Sequence, residues 1–227
     1  MKSKFIALVP ARSGSVSIKN KNIINFRNKM LIEHTLIAAQ NSKYLDEKYV
    51  STDSKKYISL LEKYNKFFFI KRPKKYALNN SKAKEVVLHF INYYKKHNSI
   101  KNKNIVYLQP TSPFRDHKDI NKAIETFKKG KSKSLISLKK INKKYLKILS
   151  IKNNKIKILT DKNYSNFNRQ SLPDIFIPNG AIYIFRISEF LKEKNFPVRN
   201  SIPFIMNNKK SYDIDTRNDI KILNENE

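Results

Sequence analysis

The sequence predicts an α/β fold in which a mostly parallel β-sheet is covered by helices on both faces. Two observations support this fold class. Short apolar runs alternate with helical hydrophobic patterns as far as about residue 140, which is the arrangement produced by repeated strand–helix units. The chain has 227 residues, of which 40% are hydrophobic, and this length and composition suit one globular domain.

The predicted elements follow one another at regular spacing. Continuous apolar runs predict strands at 5–9, 49–51, 67–70, 105–108 and 135–138. Apolar residues that recur every three or four positions predict helices around 30–40, 57–64, 86–94 and 120–127, with Ser54 as a cap for the second helix. Ligands bind at the carboxyl ends of the strands in such sheets, so the loops after the strands are the candidate site.

The alternation of strands and helices ends after about residue 140. Apolar runs at 146–151 and 156–159 flank Asn153 and Asn154, which predicts a β-hairpin. We expect a polar loop as far as Pro178, a strand at 180–185, and a last helix that begins with a capping box of Thr216 and Asp219. The sequence therefore predicts a single domain over 1–227, with residues 140–175 as a small insert.

The composition limits the classes of function. The formal net charge is +30 and there is no cysteine, which excludes disulfides and thiolate metal sites. Such a charge is typical of nucleic-acid binding, but the lysines are spread along the whole chain, which favours a solvated surface that also attracts anionic substrates. No apolar run reaches the roughly 20 residues of a membrane span, so we expect a cytoplasmic protein without a membrane partner.

A basic loop at 10–22 follows the first predicted strand. Its small residues would let backbone N–H groups approach a phosphate closely, and Arg12, Lys19 and Lys21 could neutralise a triphosphate. The loop lacks the Gly-x-x-x-x-Gly-Lys-Ser/Thr pattern of a P-loop. An ordinary surface loop is the alternative interpretation.

Two further polar segments come at or after strand ends. The segment from Leu108 to Arg115 contains two prolines that stiffen it, and Gln109, Thr111 and Ser112 offer hydrogen bonds. Arg169 could bind a carboxylate through two parallel hydrogen bonds. A rigid turn before a helix and a surface arginine are the alternative interpretations of these two segments.

The segment Tyr212-Asp213-Ile214-Asp215-Thr216 contains two carboxylates at alternate positions. Alternate residues of an extended segment point to the same side, so Asp213 and Asp215 could hold Mg²⁺ together with triphosphate oxygens and water. The alternative is a polar turn before the last helix.

Taken together, these segments resemble those of the acylneuraminate cytidylyltransferases, also called CMP-sialic acid synthetases. The resemblance rests on the order of five patterns: Ala-Arg-x-Gly-Ser, then Leu-Gln-Pro-Thr-Ser-Pro-x-Arg, then Arg-Gln-x-Leu-Pro, then Asn-Gly-Ala-Ile-Tyr, and finally Asp-Ile-Asp. It extends over essentially the whole chain. It implies a Rossmann-like nucleotidyltransferase fold, a homodimer formed through the insert at 140–175, and transfer of CMP from CTP to a nonulosonic acid, with Mg²⁺ as cofactor.

The resemblance also implies roles for particular residues. Catalysis would depend on Arg12, Lys21, Asp213 and Asp215, of which the two aspartates would hold Mg²⁺. The nucleotide would be bound by Ala11, Arg12, Ser13, Gly14, Ser15, Lys21, Asn22, Arg72 and Gln109. The sugar acid would be bound by Gln109, Thr111, Ser112, Arg169, Gln170 and Asn179.

The chain departs from the family pattern at several positions. Val16 and Ser17 stand where the family usually has Lys-Gly, Asn79 where aspartate is common, and Ile177 where sialic-acid enzymes often carry arginine. Legionaminic and pseudaminic acids therefore stand beside N-acetylneuraminic acid as expected acceptors. Three other hypotheses remain: the eight-carbon keto acid 3-deoxy-manno-octulosonate as acceptor, a non-catalytic nucleic-acid-binding protein, and an inactive relative that still binds CTP.

Overall fold

The computed structural model of the protein describes residues 3–15 and 17–225. Helices alternate with strands along most of this part of the chain. Its α-helices are α1 (Leu31–Gln40), α2 (Lys55–Leu61), α3 (Ala83–Tyr94), α4 (His117–Lys129), α5 (Ile187–Glu193) and α6 (Arg217–Glu225). None of these helices is long and apolar enough to cross a membrane.

The strands form one large sheet and two small hairpins. The large sheet contains β1 (Lys4–Pro10), β4 (Glu47–Thr52), β5 (Phe68–Lys71), β6 (Lys103–Tyr107), β7 (Ser134–Ile141), β10 (Ile175–Arg186) and β11 (Ile202–Ile205). One small hairpin pairs β2 (Asn25–Phe26) with β3 (Lys29–Met30), and the other pairs β8 (Leu149–Lys152) with β9 (Lys155–Ile158).

The large sheet is mostly parallel, as the sequence predicts. Its strand order is β11-β7-β10-β6-β1-β4-β5. Only β10 runs antiparallel to its neighbours β6 and β7, and every other adjacent pair in the described sheet is parallel. The parallel strands therefore end at one edge, where their loops lie side by side.

Strand β1 explains why both faces of the sheet need helices. Its side chains alternate between two apolar clusters, as the pleat of a strand requires. Phe5, Ala7 and Val9 pack with residues of α1, α2 and α4, whereas Ile6 and Leu8 pack with residues of α3 and α5. A strand buried on both faces appears in the sequence as a continuous apolar run.

Local signals place several element ends. The Ser54 side chain accepts a hydrogen bond from the backbone N–H of Tyr57 at 3.3 Å, which caps α2 as predicted. Thr216 and Asp219 exchange side-chain-to-backbone hydrogen bonds before α6, as expected of a capping box. These bonds satisfy N–H groups that have no partner within the first turn of a helix.

The hairpin of β8 and β9 lies within the predicted insert. Asn153 and Asn154 both have positive φ, 51° and 54°, as the two central residues of a type I′ turn require. Strand β8 is shorter than the predicted run at 146–151, because the segment Lys143–Lys147 forms a 3₁₀-helix instead.

The prediction of a polar loop up to Pro178 is wrong in its last part. Strand β10 begins at Ile175, five residues before the predicted strand start, and pairs with the end of β7. The β-formers at 175–177 are followed by Pro178, which hides the strand in the sequence. The register shifts between Pro178 and Tyr183, and this irregularity accommodates Asn179 and Gly180 beside the site.

Candidate functional site

A cavity of about 460 Å³ opens at the carboxyl ends of the parallel strands. It is bordered by the loop after β1, by Arg72 after β5, by the segment after β6, and by the segment before α6. These parts of the chain are far apart in sequence. The predicted site residues that line the cavity are Arg12, Ser15, Lys21, Asn22, Arg72, Gln109, Thr111, Asp213 and Asp215.

The loop after β1 is held by side chains rather than by regular structure. Both oxygens of Asp53 accept hydrogen bonds from Ser13: Oδ1 from the backbone N–H at 2.9 Å and Oδ2 from the hydroxyl at 2.7 Å. Asn22 donates to the Arg12 carbonyl at 2.8 Å, and Arg12 Nη1 donates to the carbonyl of Leu78 at 2.6 Å. These contacts give the loop a defined conformation.

Ala11, Ser13 and Gly14 were also predicted to bind the nucleotide, but their side chains do not line the cavity. Ala11 is buried, and its N–H donates to the carbonyl of Ser51 at 2.9 Å. The Ser13 hydroxyl is occupied by Asp53. The bonds of Ala11 and Ser13 therefore stabilise the conformation of the loop.

Arg72 is a cation at the base of the cavity. Only 3% of this residue is exposed, and its Nε and Nη2 atoms have no hydrogen-bond partner within the described residues. Burial lowers the pKa of the guanidinium, and the Tyr107 and Asp53 side chains partly oppose that effect. A buried, incompletely paired guanidinium is costly, and an anionic or hydrogen-bonding ligand would satisfy it.

Gln109 lies on a rigid base. The fully buried Arg115 donates from Nη1 to the carbonyls of Gln109, at 3.3 Å, and Ala181, at 3.0 Å, and from Nη2 to Thr35 Oγ1 at 2.6 Å. Burial lowers the pKa of Arg115 to about 10, so it remains charged at neutral pH. Gly180 has φ of 77°, and a Cβ there would collide with Oε1 of Gln109.

The two aspartates before α6 have different environments. Oδ1 of Asp213 is buried and has no hydrogen-bond partner within residues 3–15 and 17–225. Burial raises the pKa of Asp213 and the charge of Asp215 adds to the rise, while a hydrogen bond from Thr111 and the charge of Lys21 oppose it. The side chain of Asp215 is 70% exposed, and its Oδ1 lies 3.0 Å from Lys21 Nζ.

These aspartates are the candidate metal ligands. An orphaned, buried carboxylate oxygen beside a second carboxylate suits a divalent cation. No cluster of three or more His, Asp, Glu or Cys side chains that could hold a metal exists in the described part of the chain. The remaining ligands of a metal would therefore come from substrate and water.

A second cavity, of about 690 Å³, adjoins the first. Gln109, Asp213 and Asp215 line both. The second cavity is otherwise lined by residues of β7 and β10 and by the segment 211–219. The three shared residues therefore stand where a molecule in one cavity would meet a molecule in the other.

Asn179 lines the second cavity, but its amide is already occupied. The side-chain oxygen accepts from the Ser137 hydroxyl at 2.6 Å and from the N–H of Ala181 at 3.1 Å, and the NH₂ group donates to Ser211 at 2.9 Å. This buried network fixes the bend of β10 beside the cavity. Ser112 is fully buried, and it lines neither cavity.

Arg169 and Gln170 are not brought to either cavity of this chain. Both lie exposed in the insert, where Arg169 Nη2 donates to Asn142 Oδ1 at 3.2 Å. Among the positions that depart from the family pattern, Asn79 is exposed and lines neither cavity, Val16 lies outside the described residues, and Ile177 lines the second cavity.

Sequence reasoning missed several cavity residues. Tyr76, Tyr107 and Ser17 line the first cavity, and Lys139 and Tyr183 line the second. Tyr107 and Lys139 come at the ends of β6 and β7, so the rule that ligands bind at strand ends contained a signal for both. Ser17 donates to the Asp215 carbonyl at 2.5 Å, a long-range contact without a local signature.

Comparisons with known proteins agree with this geometry. A family model for cytidylyltransferases matches residues 6–223. An N-acylneuraminate cytidylyltransferase of Escherichia coli is 34% identical over 98% of this chain and 52% of its own length. A CMP-N,N'-diacetyllegionaminic acid synthase of Legionella pneumophila is 30% identical over 94% of this chain and 91% of its own length.

The fold has a counterpart among solved structures. A CMP:2-keto-3-deoxy-manno-octonic acid synthetase complexed with CTP superimposes with a TM-score of 0.70 over 98% of both chains, at 13% identity. This chain spans about half the length of the Escherichia coli relative and nearly all of the Legionella relative. Because the family model matches nearly the whole sequence, the chain belongs to the cytidylyltransferase family.

Proposed function

We propose that this protein transfers CMP from CTP to a sialic-acid-like nonulosonic acid and releases pyrophosphate. The observation that carries the proposal is the pair of adjoining cavities that share Gln109, Asp213 and Asp215. A bisubstrate transferase needs its two substrates to meet beside the groups that stabilise the reacting phosphate. One relative is named for N-acylneuraminate and another for N,N'-diacetyllegionaminic acid, and both names support this acceptor class.

CTP would occupy the first cavity. Arg12 and Lys21 line it from one side and Arg72 from another, so three cations surround a volume suited to a triphosphate. Asn22 also lines this cavity, and its side chain donates a hydrogen bond to the Arg12 carbonyl. Cations that are fixed before the reaction stabilise negative charge without a reorganisation cost.

We propose that Asp213 and Asp215 hold Mg²⁺. The buried, unpartnered Oδ1 of Asp213 supports this assignment. A bound Mg²⁺ would neutralise triphosphate charge and lower the pKa of a coordinated hydroxyl. The Lys21 ammonium lies 3.0 Å from Asp215 Oδ1, so Mg²⁺ and Lys21 would both contact the Asp215 carboxylate.

The chemistry would be a direct displacement. The anomeric oxygen of the keto sugar acid forms a bond to the α-phosphorus of CTP, the bond from the α-phosphorus to the α–β bridging oxygen breaks so that pyrophosphate leaves, and the hydroxyl proton passes to solvent water. Arg115 donates a hydrogen bond to the backbone carbonyl of Gln109, and the Gln109 side chain packs on Gly180. Held in this way, Gln109 would orient the acceptor. Such a reaction depends on positioning and charge stabilisation rather than on a covalent protein intermediate.

We further propose a homodimer formed through the insert. Ile151 and Ile156 are direct cross-strand partners in β8 and β9, and they are 79% and 71% exposed. Exposed aliphatic pairs of this kind are typical of interfaces. In such a dimer Arg169 and Gln170 of each insert would reach the partner's second cavity, which would hold the acceptor and is called the acceptor cavity. We place the reaction in the cytoplasm, where CTP is available.

The test is pyrophosphate release from purified protein with CTP and Mg²⁺. N-acetylneuraminic, legionaminic, pseudaminic and 3-deoxy-manno-octulosonic acids are supplied one at a time. Asp213→Asn and Asp215→Asn should abolish release, whereas Glu62→Gln, at an exposed carboxylate on α2's C-terminal side, should not.

Each outcome decides a different hypothesis. Release with one nonulosonic acid, lost in both aspartate variants, supports the proposal and names the acceptor. Release only with the eight-carbon acid would move the acceptor to that class. CTP binding without release in any reaction would identify an inactive relative.

A further inference from the structure

The acceptor cavity contains a single cation among the described residues that line it. That residue is Lys139, near the end of β7. Three carboxylates, of Asp213, Asp215 and Asp219, line the same cavity. A cavity of this composition repels an anion unless a positive charge compensates the aspartates.

Lys139 is available for a ligand. It is half-buried, and it makes no hydrogen bond or ion pair to any described residue. Its neighbours in sequence differ in this respect, since Lys140 and Lys143 both pair with Asp174, at 2.6 and 3.4 Å. The ammonium of Lys139 is also close enough to Asp213 to act on its carboxylate electrostatically.

Two of the three carboxylates of the cavity, those of Asp215 and Asp219, are already engaged. Asp219 accepts from the N–H groups of Asp215 and Thr216, at 2.9 and 2.7 Å. Asp215 pairs with Lys21, whose ammonium also bonds the carbonyl of Ile214 at 3.0 Å. Lys139 is therefore the cation that an incoming anion can engage without breaking a contact of the protein.

The register of the sheet directs Lys139 into the cavity. Lys139 stands directly opposite Ile177 in the antiparallel pair of β7 and β10. Directly opposite residues project to the same face, and both residues line the cavity. Lys140 is the next residue along β7, so its side chain points to the other face.

We propose that Lys139 binds the carboxylate of the acceptor sugar acid and so selects keto sugar acids over neutral sugars. This inference rests on the proposed function, because it assumes that the acceptor enters this cavity. Bound there, the carboxylate would be held beside Asp213 and Gln109, at the junction with the CTP cavity. Lys139 thus acts as a specificity residue for the acceptor.

The test compares Lys139→Met with Lys140→Met, which removes an equivalent charge from the opposite face of the same strand. With the acid that the wild-type protein uses, Lys139→Met should raise the KM for the acceptor by about 10- to 100-fold, the factor that one charge-assisted hydrogen bond supplies. The KM for CTP should stay unchanged, and Lys140→Met should match the wild type.

A second substrate separates carboxylate binding from other roles of Lys139. The wild-type protein should prefer the acid to its carboxyl methyl ester, and Lys139→Met should lose that preference. Adding Ile177→Arg to Lys139→Met places a cation on the same wall and should restore a preference for the acid. A drop in kcat with unchanged acceptor KM and unchanged preference would show that Lys139 acts only through Asp213, and would overturn the proposal.

The outcomes distinguish this inference from the proposed function. If the wild-type protein releases pyrophosphate and Lys139→Met retains the acceptor KM, the activity stands and the role of Lys139 is refuted. If the wild-type protein releases none with any acid, the proposed function fails, and the inference fails with it.

Discussion

The clearest prediction concerns Asp53, which lies outside the first cavity and yet should control the CTP binding that we propose there. Both of its carboxylate oxygens hold Ser13, through the backbone N–H at 2.9 Å and through the hydroxyl at 2.7 Å. Ser13 directly follows Arg12, which lines the cavity. Without these bonds the loop after β1 would lose the conformation in which Arg12 lines the cavity.

The size of the effect follows from the two bonds. Hydrogen bonds to a charged group contribute about 1.5–3 kcal/mol each when buried, and partial exposure lowers the contribution of these two to about 1–1.5 kcal/mol each. Ser13→Ala removes only the hydroxyl bond and should weaken CTP binding by about 1 kcal/mol, which is roughly fivefold. Asp53→Ala removes both bonds and should weaken it by about 2–3 kcal/mol, or roughly 30- to 150-fold.

The assay is isothermal titration of CTP into wild type, the two single variants and the double variant. Because Ser13→Ala removes a bond that Asp53→Ala also removes, the double variant should bind as Asp53→Ala alone does. Urea unfolding of each variant provides the control for global stability. Wild-type CTP affinity in a folded Asp53→Ala protein would refute the reasoning, as would strictly additive effects in the double variant.

Three further predictions concern other parts of the molecule. Gly180→Ala should destabilise the fold by about 1–2 kcal/mol through its positive φ, and should also lower kcat/KM because the new Cβ displaces Gln109; urea unfolding and pyrophosphate release measure the two effects. Burial raises the pKa of Asp213 above its ordinary value of 3.8. We therefore expect the affinity for Mg²⁺ in the absence of CTP to rise as the pH rises through that raised pKa, because the cation binds the ionised carboxylate, and an affinity without this rise would contradict the assigned role. Ile151→Asp should convert the proposed dimer to monomer in sedimentation, whereas Ser150→Asp, on the other face of β8, should leave a dimer.

Much of the fold could be predicted because its signals are local. A strand buried on both faces appears as a continuous apolar run, and β1 shows this pattern clearly. Side-chain capping at Ser54 and the paired asparagines of the β8–β9 turn are equally local. The antiparallel insertion of β10 between β6 and β7 has no such signal, because strand order is decided by packing between segments far apart in sequence.

The site could be predicted in part for the same reason. Residues at strand ends were identifiable, since the topology of a parallel sheet brings strand ends together. The supporting contacts were not, because they join residues distant in sequence: Arg115 bonds Thr35 across 80 positions, and Ser13 bonds Asp53 across 40. Lys139 was hidden for a different reason. Its place near the end of β7 is a signal, but in a chain with a net charge of +30 only the surroundings distinguish a lysine at such a place from the many others.

The contacts between the loop after β1 and the segment before α6 explain how Lys21 can stay in place and still exchange Asp215 for a ligand. Lys21 bonds the Ile214 carbonyl in a buried position, and Ser17 bonds the Asp215 carbonyl, so both bonds hold the backbone. The Lys21–Asp215 ion pair joins a lysine side chain that is 9% exposed to a carboxylate side chain that is 70% exposed. Water can therefore replace Lys21 at Asp215, whereas the buried ammonium needs a new anionic partner when Asp215 leaves. The buried carbonyl bond keeps Lys21 in place meanwhile. The two carbonyl bonds order the loop, and a ligand need not break them. A ligand can replace the Lys21–Asp215 ion pair.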